Sequence, residues 1–334
     1  VGTPTVSAII PSWNRRDLIA EILPTLQTQS RPPDEIIVVD NGSTDRTYDV
    51  VQKFGARVVR LDSNCGFAAA INEGIRHASG EWIVLANNDV VFQSQWLEKL
   101  LKAVTDQNAL FATGKLLQKS DKSRIDGTWD MVSRGAYAWR SGYGRLDGAM
   151  WSKRRSIVLA PMTAALFHRS VFETIGGLDA RFEAYYEDVE FGIRCALAGI
   201  RGIYEPGAVA THEGKSTLGK NGERVMYLTA RNQVLLLAKH YSPKTLRRFW
   251  WPILVGQVLS VVAAATHGHF LSALKGKRDG LRLWSTFRKE QSPDARLFED
   301  TIETALEQSE REIREYQRAI GFDPYWKIYF SLVR

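Results

Sequence analysis

Residues 35–45 read Glu35-Ile36-Ile37-Val38-Val39-Asp40-Asn41-Gly42-Ser43-Thr44-Asp45, an apolar run too short for a helix, closed by an aspartate and a polar, glycine-bearing turn. Such a run between turn signals suits a buried strand. The signature recurs on either side. Val6–Pro11, Arg57–Leu61 and Trp82–Ala86 are further strand-like runs. Between them Leu18, Ile19, Ile22, Leu23 and Leu26 recur at helical spacing, as do Val50, Val51 and Phe54, and then Ala68 to Ile75. Strand–helix–strand repetition predicts a parallel sheet with crossover helices. Gly55 and Gly80 stand where helix C-caps are expected, and Ser94 to Val104 makes another amphipathic helix.

Further along, residues 118–156 are rich in Gly, Ser, Arg and Trp without a clean period, a pattern that suggests a substrate-covering loop. A second structured block follows. Ile157–Arg169 reads as a strand pair, Ser170–Ile175 as a short helix, Tyr186–Ala198 as a helix capped by Gly199, and Arg201–Glu205 as a strand. From about residue 225 the pattern is helical, so the expected division is an α/β domain over 1–225 and a helical region over 226–334. Phe249 to Thr266 holds no charged residue, with Arg247 and Arg248 before it and Lys275, Lys277 and Arg278 after it. As a helix it would extend roughly 27 Å, barely the hydrocarbon thickness, with Pro252, Gly256 and Gln257 as interruptions. A helix lying in a membrane interface with basic flanks is the expectation; a buried helix and a spanning one are the alternatives. Residues 298–320, with Glu and Arg at i,i+4 spacing, read as a solvated helix.

The 334 residues, 44% apolar, suffice for one large α/β domain with an appendage. The net charge of +7 is a mild basic excess. No nucleic-acid module accompanies it, and an anionic membrane or a phosphorylated substrate suits it equally well. Cys65 and Cys195 lack a spacing motif, which points to a reducing compartment. The chain runs from Val1 straight into a strand, so no signal peptide is expected.

Neither a Gly-x-Gly-x-x-Gly fingerprint nor a P-loop follows the first strand. That strand ends Pro11-Ser12-Trp13-Asn14, and open parallel sheets bind ligands beyond the carboxyl ends of their strands. Asp40, at such an end, could accept hydrogen bonds from a base or ribose. Ser43, Thr44 and Asp45 read as capping residues. The small residues of Asn64-Cys65-Gly66-Phe67-Ala68-Ala69-Ala70-Ile71-Asn72 would either let a flat ring or diphosphate approach backbone N–H groups or simply pack a helix tightly on the sheet. Two acidic landmarks lie about 100 residues apart, Asn87-Asn88-Asp89 after an apolar strand and Tyr186-Glu187-Asp188-Val189-Glu190 at a helix start. Carboxylates held at two element tips suit a reaction needing a metal-bound phosphate leaving group and a general base.

Taken in order, Pro11-Ser12-Trp13-Asn14, Val39 to Asp45, Asn64-Cys65-Gly66-Phe67, Asn87-Asn88-Asp89 and Glu187-Asp188-Val189-Glu190 resemble glycosyltransferase family 2, and most closely its bacterial branch containing rhamnosyltransferases of cell-surface polysaccharides. The likeness spans roughly residues 5–235. It implies a GT-A fold, a nucleoside-diphosphate-sugar donor, a divalent cation (Mg²⁺ or Mn²⁺) and inversion at the anomeric carbon. Carried over by position, Asp40 would contact the base or ribose, with Pro11, Ser12 and Asn14 in the same pocket and Asn64, Gly66, Asn72 and Asn88 on the donor side. Asp89 matches the last residue of the family's Asp-x-Asp, whose first position is here Asn87. His212 falls where related enzymes place a further metal ligand, in the stretch Thr211-His212-Glu213-Gly214-Lys215-Ser216. Asp188 matches the catalytic base, and Glu187 would position the acceptor or raise its neighbour's pKa.

The expected protein is thus a cytoplasmic transferase, peripheral at the inner face of the cell membrane, acting on a glycan or polyprenyl-diphosphate-linked acceptor. A non-catalytic sugar-nucleotide or glycan-binding module on the same fold is the alternative. For Asp179 a sugar contact and turn chemistry are equal readings. Arg231 and Asn232 read as a surface face within reach of a phosphate. Trp129, Trp139 and Tyr143 are left without a role.

Overall fold

A computed structural model describes residues 3–214, 222–289 and 299–334. Lys215 and Ser216, neighbours of His212 in sequence, lie outside them. The chain divides into two compact units, Val1–Asp130 with Arg140–Thr217, and Met131–Trp139 with Leu218–Arg334.

The first unit begins with β1 (Val6–Ser12), α1 (Arg16–Gln27), β2 (Glu35–Asp40), α2 (Thr47–Lys53), β3 (Arg57–Arg60), α3 (Phe67–His77) and β4 (Trp82–Ala86). These match the expected elements to within a residue or two. Strands β3, β2, β1 and β4 lie side by side in parallel. Every residue of β1 and β4 is buried, which is why both read as unbroken apolar runs. The stripe Leu18, Ile19, Ile22, Leu23 and Leu26 turns α1 onto the sheet core beside Ile10, Val38 and Val84. Gly55 follows α2 with φ 66°, as a C-cap glycine should. Gly80 does not cap α3. It lies where a Cβ would strike the Ser7 backbone, and its N–H donates to Ser7 Oγ at 2.7 Å.

The sheet continues with β5 (Val90–Phe92), α4 (Trp96–Gln107), β6 (Phe111–Gln118) and β7 (Ile125–Gly127), and a hairpin of β8 (Asp130–Val132) and β9 (Ala138–Arg140) follows. After it come β10 (Arg155–Ile157), β11 (Ala164–His168), α5 (Arg169–Ile175), α6 (Glu187–Leu197) and β12 (Gly202–His212). Among the described residues ten strands form one sheet, ordered β10-β12-β6-β11-β4-β1-β2-β3, with β5 on β12 and β7 on β6. The expected strand pair around 157–169 is two strands that do not pair together: β10 joins β12, and β11 enters antiparallel between β4 and β6. The expected strand at 201–205 extends to His212, its register against β6 shifting between Glu205 and Val209. Gly114 sits at that shift because a Cβ there would collide with the Ala208 carbonyl. Residues 118–156 are not an exposed cover. They supply three three-residue strands and the start of β10, and Asp126, Thr128, Trp129 and Asp130 among them are buried.

The second unit is helical: α7 (Gly222–His240), α8 (Pro243–Arg248), α9 (Trp250–Thr266), α10 (Phe270–Lys289), α11 (Glu299–Ile320) and α12 (Pro324–Leu332). Helices α7 and α10 pack closely through Gly276 and Gly280, where a methyl would strike the Tyr227 carbonyl and Val234. Arg231 and Asn232, expected on a surface, are buried on α7. The segment Met131–Trp139 is fastened here. Arg134 donates to Glu310 from Nε (3.0 Å), Nη2 (2.6 Å) and its own N–H (2.9 Å). Tyr137 stacks on Tyr325, and Trp139 lies against Tyr316. The expected interruptions of α9 are this seam. Pro252 falls in the first turn, where an N–H has no helical partner anyway. Gly256 admits the backbone of Gly135, and Gln257 Nε2 donates to the Gly135 carbonyl at 2.9 Å. Among the described residues no helix is long and apolar enough to cross a membrane.

Candidate active site

At the carboxyl ends of β1 and β2, Ser12 and Asp40 are register partners and both are buried. Capping by its neighbours does not leave Asp40 unengaged, as expected; Asp40 Oδ1 itself accepts from Ser43 N at 2.9 Å, and Oδ2 lies 3.7 Å from Arg60 Nε. Asn14, left-handed at φ 52°, ties two loops: its N–H donates to Ser43 Oγ and its Oδ1 accepts from Thr44 N at 2.8 Å. Asp45 accepts from Arg16 N and Thr47 N, the first residues of α1 and α2, where its charge suits the helix dipoles; the N-cap of α2 is Arg46, not Ser43 or Thr44. Beyond Asp40 a cavity of about 460 Å³ opens between Gly42, Ser43, Thr44, Arg60, Leu61 and Asp62. Pro11, next to Ser12 in the chain, is buried, and Asn88 Nδ2 reaches Ser12 Oγ at 3.4 Å.

Three residues expected on the donor side bond within the chain. Asn64 Oδ1 accepts from Gly66 N (3.0 Å) and Asn41 Nδ2 (3.1 Å). Asn72 closes both ends of its amide on Leu178, accepting from its N–H at 2.8 Å and donating to its carbonyl at 2.7 Å. Gly66 faces the Glu183 backbone, and the first N–H groups of α3, Phe67 N and Ala68 N, both donate to the Glu183 carbonyl.

Asp89 follows β4, and β5 leads from it into antiparallel pairing with β12, where His212 stands opposite Val90. That register sets the imidazole beside the carboxylate. His212 Nε2 lies 3.2 Å from Asp89 Oδ1, and Nδ1 lies 2.7 Å from Asp126 Oδ2. All three side chains are buried. Burial alone would lower the imidazole pKa, but the hydrogen bonds to Asp126 and Asp89 outweigh it and raise it to about 9. For a hard cation the donor set is one carboxylate, one imidazole and the Asn87 amide oxygen two residues back, which is buried without a hydrogen-bond partner. Among the described residues no three His, Cys, Asp or Glu side chains form a cage unaided. A site of this kind fits Mg²⁺ or Mn²⁺ completed by a diphosphate. Asp126 has the place of the outer carboxylate that orients a ligating histidine.

The chain enters α6 through Glu183, Tyr185 and Tyr186, all at positive φ (62°, 65° and 69°). Ala184 N donates to the Phe182 carbonyl, closing a γ-turn on Glu183 at φ 62° and ψ −69°, the rare strained form. The two bonds that the Glu183 carbonyl accepts from α3 hold it there. The first turn of α6 carries Glu187, Asp188 and Glu190, where anionic charge suits the helix dipole. Glu190 is structural, fully buried and paired with Arg194 at 2.9 Å. Asp188 Oδ1 accepts from Val189 N at 2.8 Å, and Oδ2 lies 3.9 Å from Arg140 Nη2. Arg140 Nε in turn donates to Asp130 Oδ1 at 3.2 Å. Glu187 Oε2 is buried and has no hydrogen-bond partner. Burial, then the Asp188 charge, raises Glu187 to about 8; burial, then Asp130, raises Asp188 to about 6 against the pull of Arg140.

Two side chains link these groups. Arg140 is held charged by Asp130, Asp188 and Asp126, which outweigh its burial. The Tyr185 hydroxyl is pushed up to about 12 by burial and then by Glu187, with Asp89 adding to it and Arg140 opposing. The Asp89–His212–Asp126 and Glu187–Asp188–Asp130 groups therefore share one electrostatic neighbourhood. Asp126, Asp130 and Arg140 were not singled out in the sequence. The signal was there: Asp126, Thr128 and Asp130 alternate with Gly127, Trp129 and Met131 at the period of a strand. Asp179 does turn chemistry, accepting from Arg181 N and Nε. Trp129 packs on Tyr204.

The architecture is that of a GT-A transferase. A mannosyltransferase from Pyrobaculum calidifontis, solved with GDP-Man and Mn²⁺, matches with a TM-score of 0.53 and 19% identity over 92% of this chain and 88% of its own. The chain belongs to glycosyltransferase family 2, whose model, Glycosyl transferase family 2, matches residues 7–176. An O-antigen biosynthesis protein of Myxococcus xanthus is 30% identical over 60% of this chain, which spans only 16% of that protein. An N-acetylglucosaminyl-diphospho-decaprenol L-rhamnosyltransferase of Mycobacterium tuberculosis is 26% identical over 75% of this chain and 87% of its own length. These relatives agree with the bacterial branch that the motifs resemble.

Proposed function

We propose that the protein is an inverting, metal-dependent glycosyltransferase of cell-surface polysaccharide synthesis, moving a rhamnosyl or other hexosyl unit from a UDP- or dTDP-sugar to a hydroxyl of a glycan or polyprenyl-diphosphate-linked acceptor. The observation that carries this is the pairing, in one neighbourhood, of a carboxylate–imidazole pair at strand tips with a half-buried carboxylate raised to about 6. The relative from M. tuberculosis, by its name, transfers rhamnose to a decaprenol-linked acceptor, which supports dTDP-rhamnose and a lipid-linked substrate here.

In the reaction the acceptor O–H bond breaks as its oxygen bonds to the anomeric carbon, and the bond from that carbon to the nucleoside diphosphate breaks on the opposite side. Asp188, ionised above pH 6, takes the proton. Arg140 keeps that carboxylate ionised while Asp130 keeps it basic. Glu187, raised to about 8, stays protonated at neutral pH and offers the acceptor a donor rather than a second negative charge. Asp89 and His212 would hold Mg²⁺ or Mn²⁺, which neutralises charge on the departing diphosphate. Asp40 and the cavity beyond it would take the nucleoside. The reaction would run at the cytoplasmic face of the membrane, where a polyprenyl-linked acceptor is presented.

The test is a panel of nucleotide sugars screened by thermal shift with Mg²⁺ and Mn²⁺, followed by NMR of the product's anomeric centre. One stabilising donor giving an inverted linkage is expected; a retained linkage overturns the mechanism.

A further inference from the structure

Residues 243–289 carry nine Lys and Arg against one Asp, a net charge of +8 that exceeds the +7 of the whole chain. The same segment holds the largest exposed apolar side chains of the helical unit. On α9, Trp250, Trp251, Leu254, Val258 and Val262 recur every one to four residues along one side, Trp250 exposed to 61% and Val258 to 52%. The opposite side is occupied: Pro252, Val255 and Gly256 are buried, and Gln257 bonds the Gly135 carbonyl. α10 presents Leu271, 78% exposed, with Leu274 and Leu281 beside the exposed Lys275, Arg278 and Arg282, the last two paired with Asp279. The stripe continues onto α12, since Trp251 Nε1 donates to the Leu332 carbonyl at 2.9 Å, and Leu332 and Ile328 are themselves exposed. Next to them α11 and α12 enclose a cavity of about 300 Å³ lined by Arg314, Arg318, Lys327, Phe322, Phe330 and Ser331, three cations and two phenyl rings with no carboxylate.

We propose that this face is a docking surface for an anionic phospholipid bilayer: the α9–α12 stripe enters the acyl boundary with α9 lying in the membrane plane, and the cation-lined cavity receives a lipid phosphate. Charge complementarity selects this occupant. Of the nine cations Lys277 is enclosed and Arg248 pairs with Glu303 and Glu307, while Lys244, Arg247, Lys275, Arg278 and Arg282 are exposed; an interfacial helix needs an apolar face, an aromatic anchor and basic flanks of this kind together. α9, 17 residues long, extends only about 26 Å, which suits lying in the interface and not crossing it. The inference rests on the proposed lipid-linked acceptor for its purpose, because a surface of this kind would bring the enzyme to the leaflet that holds such a substrate.

The full chain would be co-sedimented with vesicles of phosphatidylcholine alone and with 30% phosphatidylglycerol. Binding is expected to the anionic vesicles and to be at least about tenfold weaker to the neutral ones. Trp250→Glu with Val258→Glu should weaken binding to the anionic vesicles at least about tenfold, and Arg318→Glu with Lys327→Glu should remove the preference for phosphatidylglycerol. Unchanged circular dichroism and melting temperature would certify that these exposed substitutions leave the fold intact. Wild-type binding by both variants, or no vesicle binding by the wild-type chain, overturns the proposal. So does a dimer in analytical ultracentrifugation that Trp250→Glu with Val258→Glu dissociates, since the face would then belong to a second copy. Consumption of the nucleotide sugar with a water-soluble acceptor separates the two readings. If vesicles bind but no donor turns over, docking stands and the transferase reading falls; if turnover persists in variants that no longer bind vesicles, both stand.

Discussion

Two groups of the same residue types meet in the sheet unit and behave in opposite ways. Around His212, Asp89 and Asp126 close on an imidazole from either side and force it to keep a proton, at about 9. Around Arg140, Asp130, Glu187 and Asp188 share a cation that reaches only one of them closely, and the two on α6 are pushed up instead. The difference lies first in burial, which disfavours the ionised form of Glu187 and Asp188, and then in the neighbouring negative charge of Asp188 and Asp130; at His212 the hydrogen bonds to Asp126 and Asp89 outweigh burial. On the proposed function, the first group would exchange its proton for a metal ion and the second would accept a proton from an alcohol.

The sharpest way to break this division is Asp188→Asn. It should lower kcat about a thousandfold, as the loss of a general base does, and leave nucleotide affinity within about twofold; parallel loss of nucleotide binding would show that the two groups are not separate in function. Asp126→Asn comes next. Losing the carboxylate that orients His212 should weaken Mn²⁺ binding about 10- to 100-fold, read by titration of the Mn²⁺ paramagnetic signal without any turnover. The same titration, run by calorimetry at pH 7 in buffers of different ionisation heat, should reveal about one proton released as the ion displaces it from His212.

Smaller effects concern stability, and here the sign differs between the two units. Glu187 is raised from the ordinary 4.5 to about 8, so the native state binds a proton that the unfolded chain gives up between those values. Stability should fall with rising pH across that window, and Glu187→Gln should raise Tm by several degrees above pH 8 and little below pH 4.5. In the helical unit Lys277 Nζ is enclosed by the amide oxygens of Gln233 and Gln257, and burial lowers it from 10.5 to about 7. The unfolded chain then holds the extra proton, so its contribution runs the other way, with stability rising from pH 7 to 10.5. Lys277→Met should gain a few degrees of Tm below pH 7, a gain that fades by pH 10.5. Equal gains at both ends would mean that packing, and not charge, decides the effect.

The two groups also differ in how far the sequence reveals them. The strands leading to Asp40 and Asp89 are buried on both faces and flanked by helices of clear period, so their ends could be placed to within a residue or two. The Glu187–Asp188 pair was visible because it opens a helix. Asp126 and Asp130 alternate with apolar neighbours as a strand does, but they and Arg140 belong to strands of three residues whose positions follow from long-range pairing of β7 on β6 and β8 on β9, which no local pattern shows. The asparagines expected on the donor side pose the opposite problem. Asn64 and Asn72 sit in the right order along the chain, but a small amide at a loop end bonds nearby backbone as readily as a ligand, and only geometry tells which.

The bend at Glu183 has a further consequence. Three consecutive-region residues that disfavour left-handed backbone, none of them glycine, cost together several kcal/mol by ordinary preferences. A chain free to relax would put Gly or Asn there. The Tyr185 phenol stands within the field of Glu187 and Asp89, and the Tyr186 ring is buried in the core, which offsets the strained backbone beneath them. Tyr186→Gly should therefore melt lower despite its relaxed torsion, because the cavity left by a buried ring costs more than the strain relieved.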